Sequence, residues 1–280
     1  MVYYQDENIL NTKISKFKDG GVNKIHIVSD FDKTLTKFKF KGEKVSSVIS
    51  VLRDENYLTP DYSARAKGLF EKYHPYEIDF SINWDQRKAK MLEWWSEHYV
   101  VLRECGLTKD DLTSIVKSDR ICLRDNYEEF FKTVDDNDIP LTIVTSNGLG
   151  GDIIKMFFDR FNIPNEDINL VANEIIWDVQ GKFIDIKKPI IHVLNKDEII
   201  IKDGKIKNKI RNRNNVILLG DTEGDLGMVE NIQYDNIIKI GYLNEKEDIL
   251  KDKYLDIFDV VITNDGGLDE VNKILNNIIK

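Results

Sequence analysis

The sequence predicts an α/β fold: a doubly wound, Rossmann-like parallel sheet with an inserted helical cap domain. Three observations predict it. Short apolar, β-branched runs recur along the chain, and helix-like stretches lie between them. Three of the runs end in an acidic or hydroxyl cluster, where strands of an open α/β sheet present ligand-binding residues. One long segment after the first run carries helical periodicity alone.

The first run is residues 24–29 (KIHIVS), followed by Asp30, Phe31 and Asp32. The second is 140–145 (PLTIVT), followed by Ser146, Asn147 and Gly148. The third is 215–219 (NVILL), followed by Gly220 and Asp221. Such runs, bounded by polar turns, read as buried parallel strands. Residues 169–172, 236–240 and 258–263 read as further strands, and 173–186 as a hairpin. Helical patterns lie at 127–133, 153–161, 246–253 and 268–279. Between the first and second runs, residues 43–118 read as helices only. The clearest is 84–105, where Met91, Leu92, Trp95, Tyr99 and Leu102 are spaced for one apolar face. The expected division is a core of residues 1–42 and 119–280, with residues 43–118 inserted as a helical cap.

The chain has 280 residues, 41% of them hydrophobic, enough for one large domain or for a core domain with an inserted smaller one. Its net charge of −9 argues against charge-driven nucleic-acid binding, which needs a basic field. No apolar stretch has the length of a membrane span or a signal segment, so no membrane partner is expected and the cytoplasm is the expected location. Cys105 and Cys122 are too few for a disulfide framework and suit a reducing compartment. The chain is expected to act as a monomer on a small molecule.

Asp30 and Asp32 are two carboxylates two residues apart at a strand end. One can attack while the other trades a proton. The duller reading is an acidic turn with a helix cap, but the whole string Asp30–Thr36 after an apolar strand is more specific. Asp221 and Asp225 offer hard oxygen ligands suited to Mg2+. A calcium loop of the helix-loop-helix kind fails, because a strand precedes the cluster and Gly224 falls at the fourth loop position instead of the sixth. Ser146 and the glycines after it could admit a phosphate to backbone N–H groups at a helix start; an ordinary Gly-rich turn is the competing reading. Lys196 alone would be a surface charge. It gains meaning because clustered aspartates and a dianionic substrate need a cation besides one metal ion.

Together these residues resemble the haloacid dehalogenase superfamily of phosphatases. Asp30 and Asp32 resemble its first motif, Ser146 its second, Lys196 its third, and Asp221 with Asp225 its fourth. A narrower resemblance, to the cytosolic 5′-nucleotidase III family, covers nearly the whole chain. It is carried by residues 38–42, 73–79 (YHPYEID), 91–95 (MLEWW), 191–197 (IHVLNKD), 216–225 (VILLGDTEGD) and 239–244 (KIGYLN).

The resemblance implies a Mg2+-dependent hydrolase of nucleoside 5′-monophosphates (CMP, UMP or 7-methyl-GMP) working through an aspartyl-phosphate. It implies Asp30 as nucleophile and Asp32 as general acid and base. Mg2+ would be held by the Asp30 carboxylate, the Asp32 backbone carbonyl and Asp221, with Asp225 acting through a water. Ser146, Asn147 and Lys196 would hold the phosphoryl group, and Glu77 in the cap would read the base. Of Phe70, Tyr73, Tyr76, Trp94 and Trp95, one or two are expected to stack on it, at roughly 1–3 kcal/mol per base. Three positions depart from the family pattern. His98 stands where a serine near the substrate is usual, Asn147 replaces a small residue, and Lys33 replaces an apolar one. Two other readings compete: a phosphatase or phosphotransferase for another small phosphate monoester, and a catalytically silent nucleotide-binding protein.

Overall fold

The computed structural model describes residues 1–280 except 46, 80 and 197–203. Asp197, part of the 191–197 stretch, lies outside the described residues. The chain opens with strand β1 (Val2–Tyr4) and helix α1 (Glu7–Gly20), neither foreseen from the sequence. The Asp6 carboxylate caps α1 by accepting from the N–H groups of Asn8 and Ile9. Strand β2 (Ile25–Ser29) follows. Next come a short strand pair, β3 (Lys39–Phe40) and β4 (Glu43–Lys44), and four helices: α2 (Val48–Asp54), α3 (Tyr62–Ile78), α4 (Trp84–Glu104) and α5 (Lys109–Lys117). Helix α6 (Tyr127–Asp136), strand β5 (Leu141–Val144), helix α7 (Gly150–Arg160) and strand β6 (Asn169–Val171) return to alternation. A hairpin of β7 (Ile175–Trp177) and β8 (Phe183–Ile186) comes next, then α8 (Gly204–Ile210) and β9 (Asn215–Gly220). Strand β10 (Asn236–Leu243), helix α9 (Glu247–Ile257), strand β11 (Val260–Thr263) and helix α10 (Asp269–Ile279) close the chain.

Seven strands form one sheet in the order β1-β11-β10-β9-β2-β5-β6. Every neighbouring pair is parallel except β1 with β11. Every residue of β2 and β9 is buried, so both faces of the sheet centre are covered, which is why these strands read as unbroken apolar runs. From β2 the chain moves outward through β5 and β6, then returns to β9 and moves outward on the other side. The order therefore reverses beside β2, and a ligand crevice belongs at the carboxyl ends there. Register sets Ser29 opposite Leu219, which brings Asp30 level with the end of β9.

Two details depart from the sequence reading. The segment beginning at residue 43 is not helical throughout: Phe40 pairs with Glu43 across a two-residue turn in which Lys41 and Gly42 have φ of 49° and 85°, as hairpin turns require. Leu92 is not on the buried face of α4 and is 46% exposed. The buried stripe runs through Arg87, Met91, His98 and Leu102, at helical spacings that place Leu92 about 100° round from Met91. The apolar side chains of α2 to α5, among them Val48, Leu52, Tyr62 and Ile115, join the same hydrophobic cluster as Phe31 and Ile27 of the sheet region.

Candidate active site

Asp30 directly follows β2, and its N–H donates to the Leu219 carbonyl of β9 at 3.1 Å. Asp221 follows β9, and Asp225 lies in the short helical turn after it. Register thus brings one carboxylate from β2 and two from β9 together. Ligand oxygens of Asp30, Asp221 and Asp225 lie within 4.8 Å of one another, and all three residues are buried. Such crowding is tolerable only with cations among the carboxylates. Lys196 Nζ donates to Asp30 Oδ1 at 2.7 Å and to Asp225 Oδ1 at 2.8 Å, with 4% of its side chain exposed. Lys33 Nζ lies 2.8 Å from Asp221 Oδ2.

Each carboxylate has its own environment. Burial works to raise the Asp225 carboxyl, but Lys196 and the Thr222 N–H and hydroxyl outweigh it and hold it below the usual range. Burial pushes Asp30 up, and Asp225 and Asp221 add to the rise against the pull of Lys196. Asp221 is also raised, by burial first, with Lys33 opposing. Asp32 is pushed up to about 6 by burial, even though it accepts two hydrogen bonds. The all-oxygen donor set suits a hard divalent cation, so the residues present fit Mg2+.

The loop after β2 is fixed by residues that motif reading missed. Arg124 is wholly buried. Its guanidinium donates to the carbonyls of Thr34 (2.7 Å) and Gly266 (2.6 Å), to the Lys33 carbonyl, and to Asn244 Oδ1 (2.9 Å), and it lies 3.8 Å from the Tyr242 ring centre. Asn244 Nδ2 donates to the same Lys33 carbonyl at 3.1 Å. No local pattern marks Arg124, since its partners lie up to 142 residues away. The turn bearing Lys196 is built by Asn195, whose side chain accepts from the His192 N–H (2.8 Å) and donates to the Ile190 carbonyl (2.9 Å). Asn173 ties this turn to the β5 loop by bonding both Ile191 and the Asn147 carbonyl.

The sequence reading reserved Ser146 and Asn147 for a phosphoryl group, and the structure treats them differently. Ser146 is half-buried at the end of β5, and its hydroxyl has no hydrogen-bond partner among the described residues. The Asn147 side chain is already engaged. Its Oδ1 accepts from the Leu149 N–H at 2.8 Å, which turns Nδ2 toward Asp32 Oδ2 at 2.9 Å. The other oxygen of Asp32 accepts from the Val48 N–H at the start of α2, at 3.1 Å. The two candidate base readers lie in α3 and α4. Glu77 Oε2 is 3.0 Å from His74 Nδ1, and His74 stacks on Phe70 with ring centres 4.4 Å apart. His98, expected near the substrate, is buried, with Nε2 3.0 Å from the Tyr62 hydroxyl and its ring stacked on Trp95. Burial pushes it down to about 4, so it is neutral near pH 7. Trp95 in turn lies against Gly148, where an added Cβ would meet its ring at 2.3 Å. Only a glycine lets this helix approach the β5 loop so closely.

Comparison with known proteins gives a consistent result. The sequence profile of the pyrimidine 5′-nucleotidase (UMPH-1) family matches residues 33–279. A 7-methylguanosine phosphate-specific 5′-nucleotidase A of Xenopus laevis is 34% identical over 275 residues, spanning 98% of this chain and 94% of the relative. The crystal structure of cytosolic 5′-nucleotidase IIIB bound to cytidine superposes with a TM-score of 0.85 at 24% identity, covering 99% of this chain and 93% of the other. A haloacid dehalogenase family hydrolase of Salmonella enterica superposes with a TM-score of 0.58 at 16% identity, covering 91% of this chain and 72% of its own.

The raised Asp32 pKa carries a sign for stability. The native carboxyl binds its proton more tightly than the unfolded one, so its contribution is present below the ordinary aspartate value and is lost as pH rises through about 6. In chelator, the melting temperature of wild type relative to Asp32→Asn should fall between about pH 4 and pH 7. A difference that rises or stays flat would contradict the burial of this carboxyl.

Proposed function

Because this chain belongs to the pyrimidine 5′-nucleotidase (UMPH-1) family, and is a 5′-nucleotidase of haloacid dehalogenase type, we propose that it cleaves nucleoside 5′-monophosphates through an aspartyl-phosphate on Asp30, with Mg2+ as cofactor. The observation that carries this reading is the buried cluster in which Lys196 joins Asp30 to Asp225 beside Asp221. Asp30, the Asp32 carbonyl and Asp221 would hold the metal, with Asp225 acting through a water. Bound there, Mg2+ would neutralise charge on the phosphoryl oxygens and on the attacking carboxylate.

In the first step an Asp30 carboxylate oxygen forms a bond to phosphorus and the bond from phosphorus to the ribose 5′ oxygen breaks. Asp32 gives its proton to that departing oxygen. In the second step Asp32 takes a proton from a water that attacks phosphorus. The acyl phosphate bond then breaks, releasing phosphate and restoring the Asp30 carboxylate. An Asp32 carboxyl near 6 suits both transfers close to neutral pH. Lys196 would orient Asp30 and draw charge from the phosphoryl group, and the Ser146 hydroxyl would donate to it. Residues 43–118 would act as a cap over the core of 1–42 and 119–280, excluding water from the intermediate.

The base would lie against the cap aromatics. Phe70, Tyr73 and Trp94 contact one another or His74, and Glu77 lies beside His74. An ionised Glu77 accepts hydrogen bonds only, which favours bases presenting amine or ring N–H groups. The cytidine of the solved neighbour and the 7-methylguanosine phosphate named for the frog relative are both bases of that kind. No helix among the described residues is long and apolar enough to cross a membrane. The acidic net charge of −9 argues against a charge-driven nucleic-acid partner and so favours free nucleotides as substrates.

Asp30→Asn should leave less than about 1% of turnover with the fold intact, because an amide is a poor nucleophile; circular dichroism with a phosphate-release assay decides this. Asn147→Ser keeps an oxygen for the Leu149 N–H but cannot reach Asp32. Single-turnover release of cytidine from CMP should slow by about 100-fold. Release of 4-nitrophenolate from its phosphate, which needs no proton from Asp32, should change little. Equal losses with a raised KM would instead make Asn147 a phosphate ligand. Finally, a panel of nucleoside monophosphates should rank CMP and 7-methyl-GMP above UMP and AMP. Glu77→Ala should lower kcat/KM for the best of them by about 1.5–3 kcal/mol while sparing 4-nitrophenyl phosphate. A flat panel, or equal loss on both substrates, would defeat the base-reading role.

A further inference from the structure

We propose that Lys33 is a built-in competitor for the divalent metal: its ammonium group sits on Asp221, stabilises the metal-free chain and weakens the metal affinity of the site. This rests on the reading of Asp221 as a metal ligand.

The backbone of Lys33 is anchored. Its N–H donates to Thr36 Oγ1 at 2.8 Å, and its carbonyl accepts from Arg124 and from Asn244 Nδ2. The residue has φ of 60°, an arrangement held by those bonds. With the backbone fixed, only the side chain can move. It is 30% exposed, while the Asp221 carboxyl it reaches is 8% exposed. The stem therefore runs from the solvent edge to a buried charge.

Lys196 differs on both counts. It bonds two carboxylates and is 4% exposed, so it has two partners to lose and little water to gain. Lys33 bonds one carboxylate and has water within reach. Of the two ammonium groups in the cluster, Lys33 is the one that can leave.

A dication approaching Asp221 meets an oxygen whose charge is already partly cancelled, beside an ammonium on the same carboxyl group. Low-dielectric surroundings strengthen that repulsion. Metal binding must release Lys33 from Asp221 or bear the repulsion, and either lowers the apparent affinity. The same ion pair satisfies Asp221 when no metal is bound, which otherwise leaves an uncompensated buried carboxylate.

The test is isothermal titration with MgCl2 alone on wild type, Lys33→Met, Lys33→Gln and Lys33→Arg, with melting temperatures in chelator and in saturating Mg2+. The two neutral variants should bind Mg2+ about 5–150-fold more tightly, the usual range of coupling between linked ligands. They should melt below wild type in chelator, and that gap should close or reverse in Mg2+. Lys33→Arg should stay near wild type. Neutral variants that bind no tighter, or that fail to fold even in Mg2+, overturn the inference. Asp221→Asn separates it from the reading beneath. If that variant binds Mg2+ as tightly as wild type, or if Mg2+ leaves wild type unaffected, Asp221 is no ligand and both ideas fall. If Asp221→Asn alone abolishes binding and the neutral Lys33 variants gain nothing, only the Lys33 inference falls.

Discussion

The interaction on which the rest of this site depends is the double ion pair of Lys196 with Asp30 and Asp225. Removing carboxylates from water is costly, and placing them side by side is costlier still. A single ammonium between two of them makes the arrangement tolerable, because each oxygen it touches gains a charge-assisted hydrogen bond. The Asp225 carboxylate also accepts three bonds from the Asp221 and Thr222 backbone and the Thr222 hydroxyl. It is therefore a rigid, ionised anchor for Lys196, which in turn fixes Asp30 Oδ1.

The surrounding scaffold exists to hold those few atoms still. Parallel strands β2 and β9 bring Asp30 and Asp221 out at the same end of the sheet, at the point where the strand order reverses. Arg124 and Asn244 secure the loop after β2 from beneath, using the ends of β10 and β11. Asn173 and Asn195 secure the turn carrying Lys196. Each polar side-chain atom of these four residues has a hydrogen-bond partner, so they rigidify the loops instead of destabilising the core. The helices after β4 meet the same loops through Val48, bonded to Asp32, and through Trp95, packed on Gly148. Any movement of those helices is thus felt at Asp32 and at the β5 loop.

Much of the strand architecture was legible because it is local. Buried parallel strands need continuous apolar, β-branched runs, and those at 24–29, 140–145 and 215–219 stand out from the polar turns that follow them. Strand β1 was missed because three residues at a sheet edge carry no periodic signal. It is a strand only because Val2 and Tyr4 find Ile262 and Val260. Leu92 lies off the buried face because helical spacing alone allows two neighbouring stripes on α4, and packing selects one.

What the sequence determined by itself was the chemical inventory and its placement: acidic residues after two strands, a hydroxyl after a third, and a lysine among polar neighbours. Polarity against an apolar strand is a local property, and so it can be read along the chain. Tertiary structure alone decided the partnerships. It gave Lys196 to Asp30 and Asp225, 166 and 29 residues away, Asn147 to Asp32, and Lys33 to Asp221. It also made Arg124 the support of the β2 loop. These choices follow from strand register and loop path, and a change of one residue in register would reassign every one of them.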